Sequence, residues 1–168
     1  MVATIQLHEM TGSVSGEDKT SDTVRFKAAD NTTVDTNDRL VIPASGEADI
    51  FSYSKQLRFY GSTDPDVDID NLKLYSDGSN DLGTGAVVDY DLSGEFGANI
   101  NTDISGTDLF TKTSGSPIDM DGDNPGPWGT GEIPCYMGDF VRLQMGISET
   151  ASPGSLSAET LTFAYDET

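Results

Sequence analysis

Hydrophobic residues recur along this chain at every second position, the period of a strand with one buried face, and not at the 3.6 of a helix. Ile5 and Leu7 alternate with Thr4, Gln6 and His8, and Val24, Phe26 and Ala28 with Thr23, Arg25 and Lys27. A short apolar run at 40–42 stops at Pro43. The run from Ile50 to Tyr60 puts Phe51, Tyr53, Leu57 and Phe59 on one face. Lys55 falls on that same face, which calls for a bulge, an edge position or a snorkelling side chain. Leu72 and Leu74 alternate with Lys73 and Tyr75; Ala86, Val88, Tyr90 and Leu92 share a face, as do Val141, Leu143, Met145 and Ile147, and Leu161, Phe163 and Tyr165.

No segment carries a capped amphipathic helix. Clusters of Gly, Asp, Asn and Pro separate the runs, so the expected fold is all-β: an antiparallel β-sandwich, jelly-roll-like, of about eight strands. Phe26, Phe51, Leu57, Phe59, Leu74, Val88, Leu143, Met145 and Phe163 are the expected core. Residues 1–168 form a single domain in this reading. Residues 93–132, rich in Gly, Asp, Thr and Ser, read as a loop insertion projecting from one end. Trp128 is its one large anchor, expected to pack over the core edge; the alternative is contact with a partner or a sugar.

Charge narrows the function. The chain has 29 acidic and 9 basic residues, net −20, so phosphate backbones and anionic membrane surfaces repel it. Neither a nucleic-acid partner nor a membrane is expected. The charge is uneven: residues 1–60 hold nine acidic and six basic residues, while the rest hold twenty and three. Arg25, Lys27, Arg39, Lys55 and Arg58 relieve the acidity of the first part and are the candidate interface residues, with the acidic remainder facing solvent. The N-terminal MVATIQLHEM has no basic region or apolar stretch of secretory length, so no signal peptide is expected.

Catalytic chemistry finds little footing. One histidine, His8, and one cysteine, Cys135, leave no evident nucleophilic dyad and no His/Cys zinc set. His8 is expected at a solvated or edge position, and Cys135 as a buried inert thiol. No phosphate-cradling glycine loop precedes a helix. Carboxylate pairs are too frequent here to single out a glycosidase pair. The expectation is a protein that is not an enzyme, with no catalytic residue.

Two acidic clusters remain. In DPDVDID, Asp64, Asp66, Asp68 and Asp70 would all point one way in an extended strand and repel. The chain there must turn, hold a cation or stay well solvated. In DMDGDN, Asp119, Asp121 and Asp123 alternate around Gly122, so Ca²⁺ is the cofactor candidate if the loop curls to bring the three carboxylates together. The match to an EF-hand loop is partial: Asn124 stands where the sixth-position glycine is expected and Thr130 where the twelfth-position glutamate is. A solvated acidic turn is the other reading.

Two stretches carry a resemblance. SYSKQLRFYGSTDPDVDIDNLKLYSDG (52–78) and GDFVRLQMGISETASPGSLSAETLTFAYDET (138–168) resemble small tailed-bacteriophage virion structural proteins encoded among head and tail genes. The resemblance covers about a third of the chain by structural motifs, and the middle, 79–137, has no part in it. It implies a β-sandwich, incorporation into the virion and no enzymatic role. The expected function is capsid decoration: docking on the major capsid protein or other virion proteins, as a homo-oligomer such as a trimer, after assembly in the host cytoplasm. The alternative is a tail, receptor-binding or carbohydrate-binding β-module on the virion surface.

Overall fold

A computed structural model describes residues 4–10, 16–31, 33, 35–63, 68–124, 126–128, 133–154 and 156–168. It is nearly all β, with 41% strand and 4% helix, and the sheets are antiparallel. In chain order the strands are β1 (Thr4–Met10), β2 (Gly16–Asp18), β3 (Ile50–Phe51), β4 (Lys55–Thr63), β5 (Ile69–Tyr75), β6 (Ala86–Ser93), β7 (Thr107–Asp108), β8 (Ile118–Asp119), β9 (Cys135–Ile147) and β10 (Thr162–Glu167). The larger sheet runs β2-β1-β4-β9-β6-β7, with β3 also on β9; the smaller runs β10-β5-β8. No helix among the described residues is long and apolar enough to cross a membrane.

Alternation places the core as expected for most positions. Leu7, Leu57, Phe59, Val88, Val141, Leu143 and Met145 of the large sheet share one buried cluster with Leu72, Leu74 and Ile118 of the small one, and Phe163 and Phe26 pack half-buried against it. Phe59 and Phe163 meet edge to face with ring centroids 5.6 Å apart, a geometry that adds to plain burial.

Phe51 differs. The run expected as one strand breaks at Ser52–Ser54: Phe51 pairs with Gly146, but Lys55 pairs with Leu143. Four steps on one strand span three on the other, and an odd offset moves a side chain to the opposite face. Phe51 therefore turns away from the sandwich interior, and a methyl added at Gly146 would lie 3.2 Å from its ring. The break is held by polar bonds: Ser52 N donates to Met145 O (2.9 Å), and Met145 N donates to Ser52 Oγ (3.1 Å). Nor do the runs at 23–28 and 40–42 form strands; they lie as irregular chain, with Val24, Phe26, Leu40 and Ile42 half-buried on the core.

The described residues between 93 and 128 do not project. Their first part lies across the outer face of the large sheet. Gln56 and Gln144 are buried there. Gln56 Nε2 donates to Gly97 O (2.6 Å), while Gln144 Nε2 donates to Ile100 O (3.1 Å) and Thr102 O (3.0 Å) and its Oε1 accepts from Ile104 N (2.9 Å). A glutamine amide offers two donors and an acceptor, enough to satisfy an irregular segment that has no ladder of its own. The segment then pairs β7 with β6, drives Leu109 and Phe110 into the core, and pairs β8 with β5.

The two phenylalanines separate this register from the simple alternation. Phe59→Ala should cost about 3–5 kcal/mol in urea unfolding, and Phe51→Ala less than half as much. Equal losses would place Phe51 in the core after all.

Candidate functional site

The acidic DMDGDN loop is organised by β9. Between Leu57↔Val141 and Phe59↔Met137, two steps on β4 correspond to four on β9, so β9 bulges at Gly138–Phe140. Gly138 has φ +66°, a conformation that costs a glycine little. The bulge turns Asp139 toward the loop, where its carboxylate accepts from Asp123 N (2.9 Å), Asn124 N (3.1 Å) and Asn124 Nδ2 (2.7 Å). A methyl at Gly122 would stand 2.2 Å from Asp139 Oδ2.

The loop thus turns its N–H groups inward onto an anion, and its own carboxylates do not converge. Asp119 and Asp123 are exposed. Asp119 Oδ1 accepts from Asp121 N (3.0 Å), and Asp121 Oδ1 accepts from Leu72 N (3.1 Å). Among the described residues no group of three His, Cys, Asp or Glu side chains is disposed to hold a metal ion. Burial raises the Asp121 pKa, the Leu72 bond lowers it, and the charges of Asp119 and Asp70 raise it further. Burial, with Asp108 and Asp103 adding to it, likewise raises Asp89. Of the first acidic cluster, Asp64 and Asp66 lie outside the described residues; Asp68 is exposed and Asp70 half-buried.

The five candidate interface cations part ways. Arg25 and Arg39 are exposed. Arg58 is half-buried, its guanidinium 4.5 Å above the Phe140 ring and its Nε donating to Gly138 O (2.7 Å). Burial lowers its pKa, against the opposing charge of Asp139. Lys27 and Lys55 are buried, out of reach of a docking surface on the folded chain. Lys55, 1% exposed, sits on a central strand with its Nζ 2.9 Å from Glu9 Oε1. The sequence held the signal for this pair: the alternation of Ile5 and Leu7, carried on by one step, points Glu9 inward beside the inward Lys55.

Histidine and the lone tryptophan are committed to the fold. His8 is buried on the outer face of β1, stacked on Tyr60 at 4.5 Å and set edge-on to Tyr136 at 5.6 Å. Burial lowers its pKa, with Asp18 opposing. Trp128 exchanges two backbone hydrogen bonds with Ile69 (2.9 and 3.0 Å) and packs half-buried on the core. Cys135 opens β9, half-buried against the same core.

Removing one member of a buried ion pair strands the other. Glu9→Gln should therefore cost about 3–5 kcal/mol in denaturant unfolding, and a Glu9→Leu/Lys55→Met double variant should recover most of it. A Glu9→Gln loss below about 1 kcal/mol, the range of exposed pairs, would contradict the buried placement.

For the acidic surface, screening sets the expectation. NaCl and CaCl₂ at matched ionic strength should raise the melting temperature equally, and a larger calcium shift that Asp121→Ala abolishes would restore the cation site. The raised pKa of Asp121 fixes a sign. Its folded value lies above its unfolded one, so its charge opposes folding at neutral pH, and stability rises as pH falls through the folded pKa. Asp121→Asn, which keeps an oxygen for Leu72 N, should melt higher than wild type at neutral pH and lose that advantage on acidification.

Comparison with protein-family models, with curated proteins and with solved structures finds no match for this chain.

Proposed function

We propose that this protein is a non-enzymatic structural component of a tailed-phage particle, a decoration protein that docks on the head and stabilises the shell. The observation that carries the reading is where the resembling residues fall. Residues 52–78 supply β4 and β5, and residues 138–168 supply most of β9 and all of β10. These are central strands of both sheets and the edge partner of β5, so the likeness takes in the framework of the sandwich. An acidic exterior suits a particle surface, since like charge keeps particles apart.

Docking in this proposal draws on the least acidic part of the chain. Arg39 is exposed, and two residues on Val41 is 68% exposed between the half-buried Leu40 and Ile42. An apolar side chain beside a cation suits a contact whose core is dry and whose rim is charged. Self-association about a local symmetry axis, as a trimer or ring, would place this segment of each copy on equivalent sites of the shell.

Mass spectrometry of particles purified from an infected culture tests the reading. Hundreds of copies per particle fit decoration, a handful would point to a tail tip or fibre, and absence from the particle refutes it. An Arg39→Glu/Val41→Asp variant should lose incorporation while its unfolding free energy stays within about 0.5 kcal/mol of wild type per substitution, as surface changes do.

A further inference from the structure

At one end of the sandwich the chain from Lys19 to Asn31 closes over the Glu9–Lys55 pair and leaves a pocket of about 130 Å³. Lys19, Arg25, Lys27 and Lys55 line it, together with Glu9 and Asp22. Four of the nine basic residues of a chain with net charge −20 thus gather around one cavity. A cavity of that size holds a few waters or one tetrahedral oxyanion.

The hydrogen-bonding capacity of the walls is only partly used. Lys19 Nζ lies 3.3 Å from both Glu17 and Asp22. Lys27 Nζ donates to Asn31 Oδ1 and Thr33 O, and Lys55 Nζ donates to Asn31 O (3.3 Å) while facing Glu9. Each ammonium has three donors. Arg25, exposed on the pocket wall, makes no hydrogen bond or ion pair within 4 Å among the described residues and brings five. The floor is of opposite character. Glu9 is 2% exposed, and although its Oε1 is in ionic contact with Lys55, it accepts no hydrogen bond. The pocket therefore offers several N–H donors and one buried acceptor that lacks a donor.

We propose that this pocket binds a phosphate-class oxyanion that still carries a proton: hydrogen phosphate, free or as the monoprotonated head of a phosphate monoester. The ionised oxygens take the Arg25 fork and the remaining lysine N–H groups, the charge-assisted pairing that guanidinium and phosphate favour. The P–OH donates to Glu9 Oε1 and completes the buried acceptor. A metal cation would have to enter among four positive heads. Sulfate has the same shape but no proton near neutral pH, so one of its oxygens would face the Glu9 carboxylate unpaired and repelled. Glu9 is thus the specificity-determining residue, selecting by exclusion as much as by attraction. The site is separate from Arg39 and Val41 and stands or falls independently of the docking proposal.

The test uses the full chain at neutral pH, melted and titrated calorimetrically with inorganic phosphate, sulfate, phosphoserine and chloride at matched ionic strength. Phosphate should raise the melting temperature with the concentration dependence of a single site, and sulfate should do no more than chloride. Phosphoserine binding as well as phosphate would assign the site to a phosphorylated molecule, and binding of inorganic phosphate alone would assign it to the free ion. Arg25→Gln should weaken phosphate by about tenfold or more, the loss of a charge-assisted hydrogen bond. Glu9→Gln, which puts a donor where the acceptor stood, should abolish the preference for phosphate over sulfate. Should Glu9→Gln fail to fold, the wild-type selectivity and the Arg25→Gln variant decide. Equal shifts in phosphate, sulfate and chloride, or phosphate binding untouched by Arg25→Gln, would overturn the proposal and leave a hydrated ion cluster.

Discussion

The bulge at Gly138–Phe140 is the constraint on which the rest of the sandwich turns. Among the described residues β9 is the longest strand, and it pairs with β3, β4 and β6. A regular strand there would have kept its polar groups in the plane of its own sheet. The extra residues let Asp139 N reach out of that plane to Met120 O (2.6 Å), while Met120 N donates to Leu72 O (2.9 Å) in the small sheet. One backbone chain of hydrogen bonds so ties the two layers together, and the Asp139 side chain holds the acidic loop beside it. Only a glycine fits at the pivot: a side chain at Gly138 would meet Met120 O at 2.5 Å and the wrong backbone region besides.

Charge follows the same logic of few and well-placed partners. Most of the acidic excess stays in water, where salt screens its mutual repulsion. Where carboxylates go inside they take different partners. Asp139 is satisfied by backbone and amide N–H groups, whereas Glu9 lies in ionic contact with the ammonium of Lys55. A buried ion pair often contributes no more to stability than an apolar pair of the same volume, so the Glu9–Lys55 pair is weak support for the sheets themselves.

How much of this was legible in the sequence depended on whether a residue obeyed its neighbours or a distant contact. Leu57, Phe59, Leu74, Val88 and Leu143 sit in uninterrupted alternation, and their burial followed from it. Phe51 failed because a bulge shifts parity without leaving a mark in composition. Gln56 and Gln144 alternate with inward residues, and nothing local announces that residues 94–106 will return to cover them. Asp119, Asp121 and Asp123 had the spacing of cation ligands, but the group that organises their loop, Asp139, is remote in sequence and was hidden in an apolar strand. Lys55 was legible as an anomaly, and Glu9 two strand positions beyond Leu7 would have resolved it.

The small sheet ends at β10, whose outer edge meets no strand among the described residues. An open edge is a template on which another chain can add. Here the edge is short, its ladder is offset between Ala164 and Asp166, and Asp166 and Glu167 stand exposed at its end. Two such edges approaching each other would bring like charges together before any hydrogen bond could form. The acidity that does little for the stability of one molecule thereby becomes a barrier to fibrillar growth between many.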